Sequence, residues 1–289
     1  RHARADRRAM SPGITVAQAP GKVILFGEHA VVYGRPAIAV PVTEVKAQAR
    51  VEPGEPGQGT VIVASDLGAS ILLREAADDN ALAHIVRLVL QRLRASHDPD
   101  LTISVTSSVP IARGMGSGAA VSTAVARALI KHLGHWAASR TISELVYQAE
   151  VIYHGTPSGI DNTVVTYACP VYFVKGQTIE TLRVGAPFTI VIGDTGVASP
   201  TAVAVGDVRR GWQANPAVYE PLFDQVGQIA GTARSAIEAG QIDELGPLMD
   251  ENQAMLRQMG VSSPELDHLV ESAHFAGASG AKLSGGGWG

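Results

Sequence analysis

Residues 110–120 read Pro110-Ile111-Ala112-Arg113-Gly114-Met115-Gly116-Ser117-Gly118-Ala119-Ala120. Ahead of them, residues 101–109 alternate Leu101, Ile103 and Val105 in the manner of a half-buried strand. Behind them, residues 119–133 are small and apolar at helical spacing. A strand that turns through glycines into a helix leaves bare backbone N–H groups at the helix N-terminus, where the dipole adds about half a positive charge. This is an anion cradle, and its natural occupant is the phosphate chain of a nucleotide. It is not a Walker A loop, because no Gly-Lys-Ser/Thr follows. It is not a dinucleotide fingerprint either, because no short βαβ unit surrounds it. Taken alone, a glycine-rich turn is more often a plain turn, so other segments must decide.

The chain has 289 residues, enough for two modest domains or one large one. Its formal net charge of −4 does not point to nucleic acid or to a membrane surface as partner. No apolar run reaches the roughly 18–20 residues needed to span a bilayer. A single cysteine, Cys169, excludes a disulfide framework within the chain and fits a reducing cytoplasm; the thiol reads as a small buried hydrophobe. Residues 1–12 are basic without an apolar segment behind them and read as a disordered leader or expression remnant. At the other end the chain stops at Gly289 inside a glycine-rich motif, and a closing strand is expected beyond it.

Strands are expected over 23–26, 37–42, 46–51, 60–64, 101–109, 171–174 and 188–192. Helices are expected over 81–93, 119–133, from the capping-box pattern Thr141-Ile142-Ser143-Glu144 to about 154, and over 201–212, 217–238 and 243–258. Ser263-Pro264-Glu265 opens one more, with serine as N-cap and proline in the first turn. A change of texture after Lys175 places a boundary near 184, giving an N-terminal domain over 13–184 and a C-terminal domain over 185–289.

Two further segments carry polar groups. In Glu150-Val151-Ile152-Tyr153-His154-Gly155-Thr156-Pro157-Ser158-Gly159-Ile160-Asp161-Asn162 a helix must end near His154, since Pro157 disfavours helical geometry before it. Asp161 is then expected on a tight loop, where a carboxylate takes a proton from a hydroxyl or orients it. Glu150 lies beside the apolar helix face, and a carboxylate near a phosphate cradle suits Mg²⁺. The bland alternative is a turn aspartate and a solvated glutamate. In Pro20-Gly21-Lys22-Val23-Ile24-Leu25-Phe26-Gly27-Glu28-His29-Ala30-Val31-Val32-Tyr33-Gly34, Lys22 precedes an apolar strand and Glu28-His29 follows it. Strand ends are where polar groups converge on a ligand, although surface charge is the plain reading of this segment by itself.

Together the segments resemble the GHMP kinase superfamily, whose three motifs occur here in order: 20–34, 110–120 and Lys282-Leu283-Ser284-Gly285-Gly286-Gly287. The resemblance runs from about residue 19 to 289, and the wording of 21–34 and 154–162 is that of the mevalonate kinases. It implies an α+β fold: an N-terminal domain like ribosomal protein S5 domain 2 and a ferredoxin-like C-terminal domain, with the site between them. It implies transfer of the ATP γ-phosphoryl group to the C5 hydroxyl of mevalonate in the cytoplasm, with Mg²⁺. Relatives commonly form dimers, so a homodimer is the assembly implied.

The resemblance also implies roles. Asp161 is the base and Lys22 its neighbour. Residues 110–120 hold ATP, with 114–120 around the phosphates. Glu150 holds the metal. Glu28 and His29 bind the acceptor, Thr195 is a further contact, and Ser284 and Gly285 support the site. One departure stands out: the family's Gly-Leu-Gly-Ser-Ser-Ala is Gly114-Met115-Gly116-Ser117-Gly118-Ala119 here. The hydroxyl that commonly reaches Mg²⁺ is absent at Gly118, which leaves the metal to Glu150, phosphates and water, or to Ser117 in its stead. Met115 for leucine conserves volume. The rival readings are a sister kinase acting on phosphomevalonate or on the 3-hydroxyl of mevalonate, and a non-catalytic nucleotide sensor on the same scaffold.

Overall fold

The structure, a computed structural model, describes residues 13–154, 157–199 and 201–289. The leader expected over 1–12 lies outside the described residues, as do Gly155 and Thr156 of the segment 150–162. Strands β1 (Thr15–Phe26) and β2 (Ala37–Pro53) are followed by β3 (Val61–Ala64), β4 (Ala69–Leu72), helix α1 (Ala81–Leu93) and β5 (Leu101–Ser107). Then come α2 (Ser117–His132), α3 (Ser139–His154), α4 (Ile160–Tyr167), β6 (Val171–Phe173) and β7 (Glu180–Thr181). The remainder is helical: α5 (Thr201–Ala214), α6 (Pro216–Ala239), α7 (Leu245–Gln258) and α8 (Pro264–Phe275).

The seven strands form one sheet in the order β4-β3-β5-β2-β6-β7, with β1 on the other edge of β2. All pairings are antiparallel except β3 with β5. The two strands expected over 37–42 and 46–51 are a single one. Pro20 pairs with Lys46 and Gly21 with Val42, so residues 43–45 bulge out and the strand continues past them. The β2 positions Ala37, Ala39, Ala47 and Ala49 are fully buried, and Ala120, Ala124 and Ala128 of α2 are too. Small residues on both sides bring helix and sheet close together.

Two hydrophobic cores result. The first lies between the sheet and α1–α4 and contains Ile24, Val51, Ile85, Ile103, Leu129, Val146 and Val164. The second contains Val23, Leu25, Phe26 and Ile38 from the strands, with Phe223, Val226, Ile237 and Leu256 from α6 and α7, and Leu283. Side chains alternate across a strand, so β1 sends Ile24 to one core and Val23 and Leu25 to the other. Tyr33 stacks on Phe223 at 4.1 Å between ring centroids, and Arg35 joins Glu220 and Asp224 of α6.

Three local expectations change. Asp161 stands in the first turn of α4, not on a loop: Gly159 caps a helix there, and Thr163 Oγ1 donates to Gly159 O at 2.6 Å. Helix α3 begins at Ser139, two residues before the capping-box threonine. Residues 188–192 join no ladder, because no described strand runs beside them; Val191 is 89% exposed. After Thr181 the described residues contain four α-helices and no ladder. No described helix is long and apolar enough to cross a membrane.

Candidate active site

A cavity of about 440 Å³ opens where the glycine turn, the start of α2, the end of α3 and the start of α4 converge. Lys22 belongs to β1 and shares the parity of Ile24, so its side chain leaves the strand on the cavity side. Its Nζ lies 2.9 Å from Asp161 Oδ1, and its backbone N–H donates to Met115 O at 3.0 Å. Lys22 is 3% exposed and Asp161 31% exposed, so the cation is sealed in and the carboxylate faces the open space. Asn162, next along α4, donates from Nδ2 to Ser143 O at 3.1 Å and Ser143 Oγ at 2.8 Å. That pins the first turn of α4 to α3 and fixes Asp161 in place.

The glycine turn passes directly over this pair. A Cβ on Gly116 would stand 2.9 Å from Lys22 Cγ, and Gly116 has φ +70, so the position needs glycine on both counts. Helix α2 then starts with its N-terminus at the cavity, and Ser117, Gly118 and Ser122 line the wall. Glu150, buried on α3, lines the same wall. Its carboxylate and the Ser117 hydroxyl are hard oxygen donors of the kind Mg²⁺ takes. No group of three His, Cys, Asp or Glu side chains with metal-site spacing exists among the described residues.

His29 is 4% exposed, lines the cavity and has φ 60. Its Nε2 lies 3.0 Å from Gly286 O, and a carbonyl can only accept, so the ring proton sits on Nε2. Burial lowers the ring's pKa to about 4, which keeps it neutral. Nδ1 is therefore a buried lone pair, and it has no hydrogen-bond partner among the described residues.

Residues 80–169 match the model of the GHMP kinases N-terminal domain, and residues 233–289 match that of the GHMP kinases C-terminal domain. A mevalonate kinase of Pyrococcus abyssi is 33% identical over 96% of this chain and 87% of its own length. The chain belongs to the GHMP kinase family. The structure of L. major mevalonate kinase in complex with R-mevalonate superposes with a TM-score of 0.78 at 29% identity, over 97% of this chain and 86% of that one. Streptococcus pneumoniae phosphomevalonate kinase, in complex with phosphomevalonate and AMPPNP, superposes at 0.80 over 95% and 89% of the two chains. At 14% identity it shares the fold alone.

Within this GHMP kinase, residues 111–118, Lys22, His29, Glu150, Asp161 and Gly285 all border the one cavity. Other expected site residues do not. Ala119 and Ala120 are fully buried in the first core behind the loop. Glu28 was expected to meet the acceptor but is fully buried off the cavity. Its Oε1 accepts from Lys282 Nζ, and its Oε2 accepts from Asn252 Nδ2 at 3.2 Å. Ser284 Oγ bonds to Ile24 N and O at 3.0 and 3.1 Å. Pro110, Ser284 and Thr195 line a second space of about 780 Å³ on the far side of Arg113, together with residues 188–194 and faces of α7 and α8. Sequence patterns alone assign no role to Asn162, Ser122, Thr201 or Asp66 in the cavity, nor to Lys282 and Asn252 behind it. Asn162 and Lys282 stand inside the motifs; the other four carry no local signal.

Proposed function

We propose that this chain transfers the γ-phosphoryl group of ATP to the C5 hydroxyl of mevalonate. The Lys22–Asp161 pair, 2.9 Å apart beneath a helix N-terminus and a glycine turn, carries the reading. Phosphoryl transfer asks the protein chiefly to position groups and to stabilise charge. Asp161 accepts the hydroxyl proton as the oxygen attacks. Lys22 holds that carboxylate in place and lies beside the charge developing on the transferred group. Backbone N–H groups of residues 114–118 and the α2 dipole hold the phosphates. Glu150 and Ser117 would hold Mg²⁺, which when bound offsets charge on the phosphate oxygens. The Nδ1 lone pair of His29 accepts a hydrogen bond from a hydroxyl of the acceptor.

The names of the relatives favour mevalonate as acceptor, and so does the cavity. A phosphorylated acceptor needs cations free to grip a second phosphate. The lysine and arginine lining the described cavity are Lys22 and Arg113, paired with Asp161 and Asp194. Arg35, the one basic residue adjoining the first motif, is turned away to Glu220 and Asp224. The test is ADP release with Mg²⁺ and ATP against mevalonate, phosphomevalonate, galactose and homoserine, with the phosphate position read by NMR. Turnover of mevalonate to the 5-phosphate supports the reading. Phosphate at the 3-position, or turnover of another acceptor alone, overturns the substrate. Nucleotide binding without turnover of any acceptor would leave a sensor.

A further inference from the structure

We infer that Lys282, Glu28 and Asn252 form a buried latch that sets the position of the phosphate loop, making them positioning residues for the nucleotide although none touches it. The inference rests on the kinase reading above. An ammonium has three protons, and Lys282 finds three acceptors in the protein: the Glu28 carboxylate, Leu283 O at 2.6 Å and Ile24 O at 3.4 Å. Glu28 spends its second oxygen on Asn252 of α7. Neither Lys282 nor Glu28 borders the nucleotide cavity. An apolar pair of the same volume would fill this space at least as stably, since burying two charges costs more than it returns unless their geometry is used. What directional bonds from a charged pair add is register.

Register matters here because residues 283–286 run from the latch to the phosphate loop. Asp250 and Gln253 of α7 accept from the backbone N–H groups of Ala281 and Leu283, both at 2.9 Å, so side chains take the place of a strand partner. Ser284 is fastened to Ile24 of β1. One residue on, Gly285 meets the phosphate loop backbone to backbone. A Cβ on Gly285 would lie 3.1 Å from Gly114 Cα, and one on Gly114 would lie 3.0 Å from Ser284 O. Gly286 O then fixes the His29 ring. The third motif is thus a strip clamped by the latch at one end and pressed against the phosphate loop at the other. A shift of the clamp moves Gly114.

The test compares four proteins by calorimetric titration with MgAMPPNP and by thermal unfolding: wild type, Lys282→Met, the double variant Glu28→Gln/Lys282→Met, and Ser284→Ala. Lys282→Met strands a buried carboxylate and is expected to lose stability. The double variant leaves no unpaired charge, so its Tm is expected to return toward wild type. Its Kd for the nucleotide is nonetheless expected to rise at least about tenfold, the worth of one charge-assisted hydrogen bond to a phosphate lost as Gly114 shifts. Ser284→Ala strands no charge and keeps the fold; its Kd is expected to rise about three- to tenfold through the loss of hydrogen bonds to Ile24. A double variant that binds as tightly as wild type overturns the latch. Should the double variant fail to fold, Ser284→Ala decides: wild-type affinity there overturns it equally. If wild type itself binds no nucleotide, the kinase reading falls and takes the latch with it. If wild type binds and the folded variants bind equally well, the latch alone falls.

Discussion

In the proposed reaction Asp161 must be turned toward the acceptor, and Lys22 holds it from a neighbouring strand at 2.9 Å. Asp161→Asn keeps size and hydrogen bonding but removes the proton acceptor. Turnover is expected to fall by ~10²–10⁴-fold, with the acceptor Kd little changed; near-normal turnover in a folded variant would remove Asp161 from the role. His29 offers a test against pH. Its folded pKa of about 4 lies below the ordinary 6.5, so between those values the unfolded chain binds a proton that the native ring refuses. Stability from this group is complete above about pH 6.5 and is lost as pH falls toward 4, a total of about 3 kcal/mol. His29 is the centre of a γ-turn, with φ 60 and ψ −50 and Ala30 N–H donating to Glu28 O at 2.7 Å, and His29→Asn keeps a polar side chain there without a titrating ring. Its acid limb in denaturant titrations is expected to be flatter by that amount, and an unchanged limb would contradict the assignment. Lys22, Glu150 and Asp161 are legible as candidates because each stands in a polar segment beside an apolar element, and all three border one cavity. The destination of Glu28 is not. Its partner Lys282 lies 254 positions away in sequence and Asn252 carries no pattern of its own, so a residue adjoining His29 in sequence faces a different space.

At the scale of elements, the glycine turn is legible as strand, turn and helix because its punctuation is local. Its fit over Lys22 is not, since that depends on β1 passing underneath. Gly116→Ala tests the fit. The positive φ costs about 1–3 kcal/mol in a residue with a Cβ, and the new methyl also pushes on the Lys22 stem. The variant is expected to lose about 2–4 °C of Tm for each kcal/mol, and its turnover is expected to fall further than the stability loss explains. Wild-type turnover at a temperature where the variant is fully folded would show that the contact is slack. Helix α4 is hidden in the sequence for the opposite reason. Eight residues after a proline and a glycine look like a loop; burial of Ile160, Val164 and Val165 in the first core, with Asn162 bonded to Ser143 of α3, makes that short helix worth forming. Residues 188–192 show the converse: a β-branched apolar run has the propensity of a strand, but a strand exists only beside a partner.

For the whole molecule, the division into two parts is legible from texture, while the way they are joined is not. Strand β1 belongs to both cores through its two faces, and residues 282–286 return along it from the far end of the chain. A strand shared in this way couples the two parts, because neither core can open without stripping one face of β1. Unfolding is therefore expected as a single transition: urea curves followed by far-UV circular dichroism and by tryptophan fluorescence should coincide. Trp212 reports on the junction, since it packs on Tyr33 with 5.1 Å between ring centroids and donates to Glu220. Phe223→Ala strikes the second core, where the ring is fully buried and stacked on Tyr33. The cost expected is about 3–5 kcal/mol, taken from both probes together. The proposed active site lies on the other face of β1, so a folded Phe223→Ala protein is also expected to bind the nucleotide more weakly than wild type. Two separated transitions, or loss of the fluorescence change alone, would mean that the C-terminal helices fold independently and that the shared strand does not carry stability between the cores.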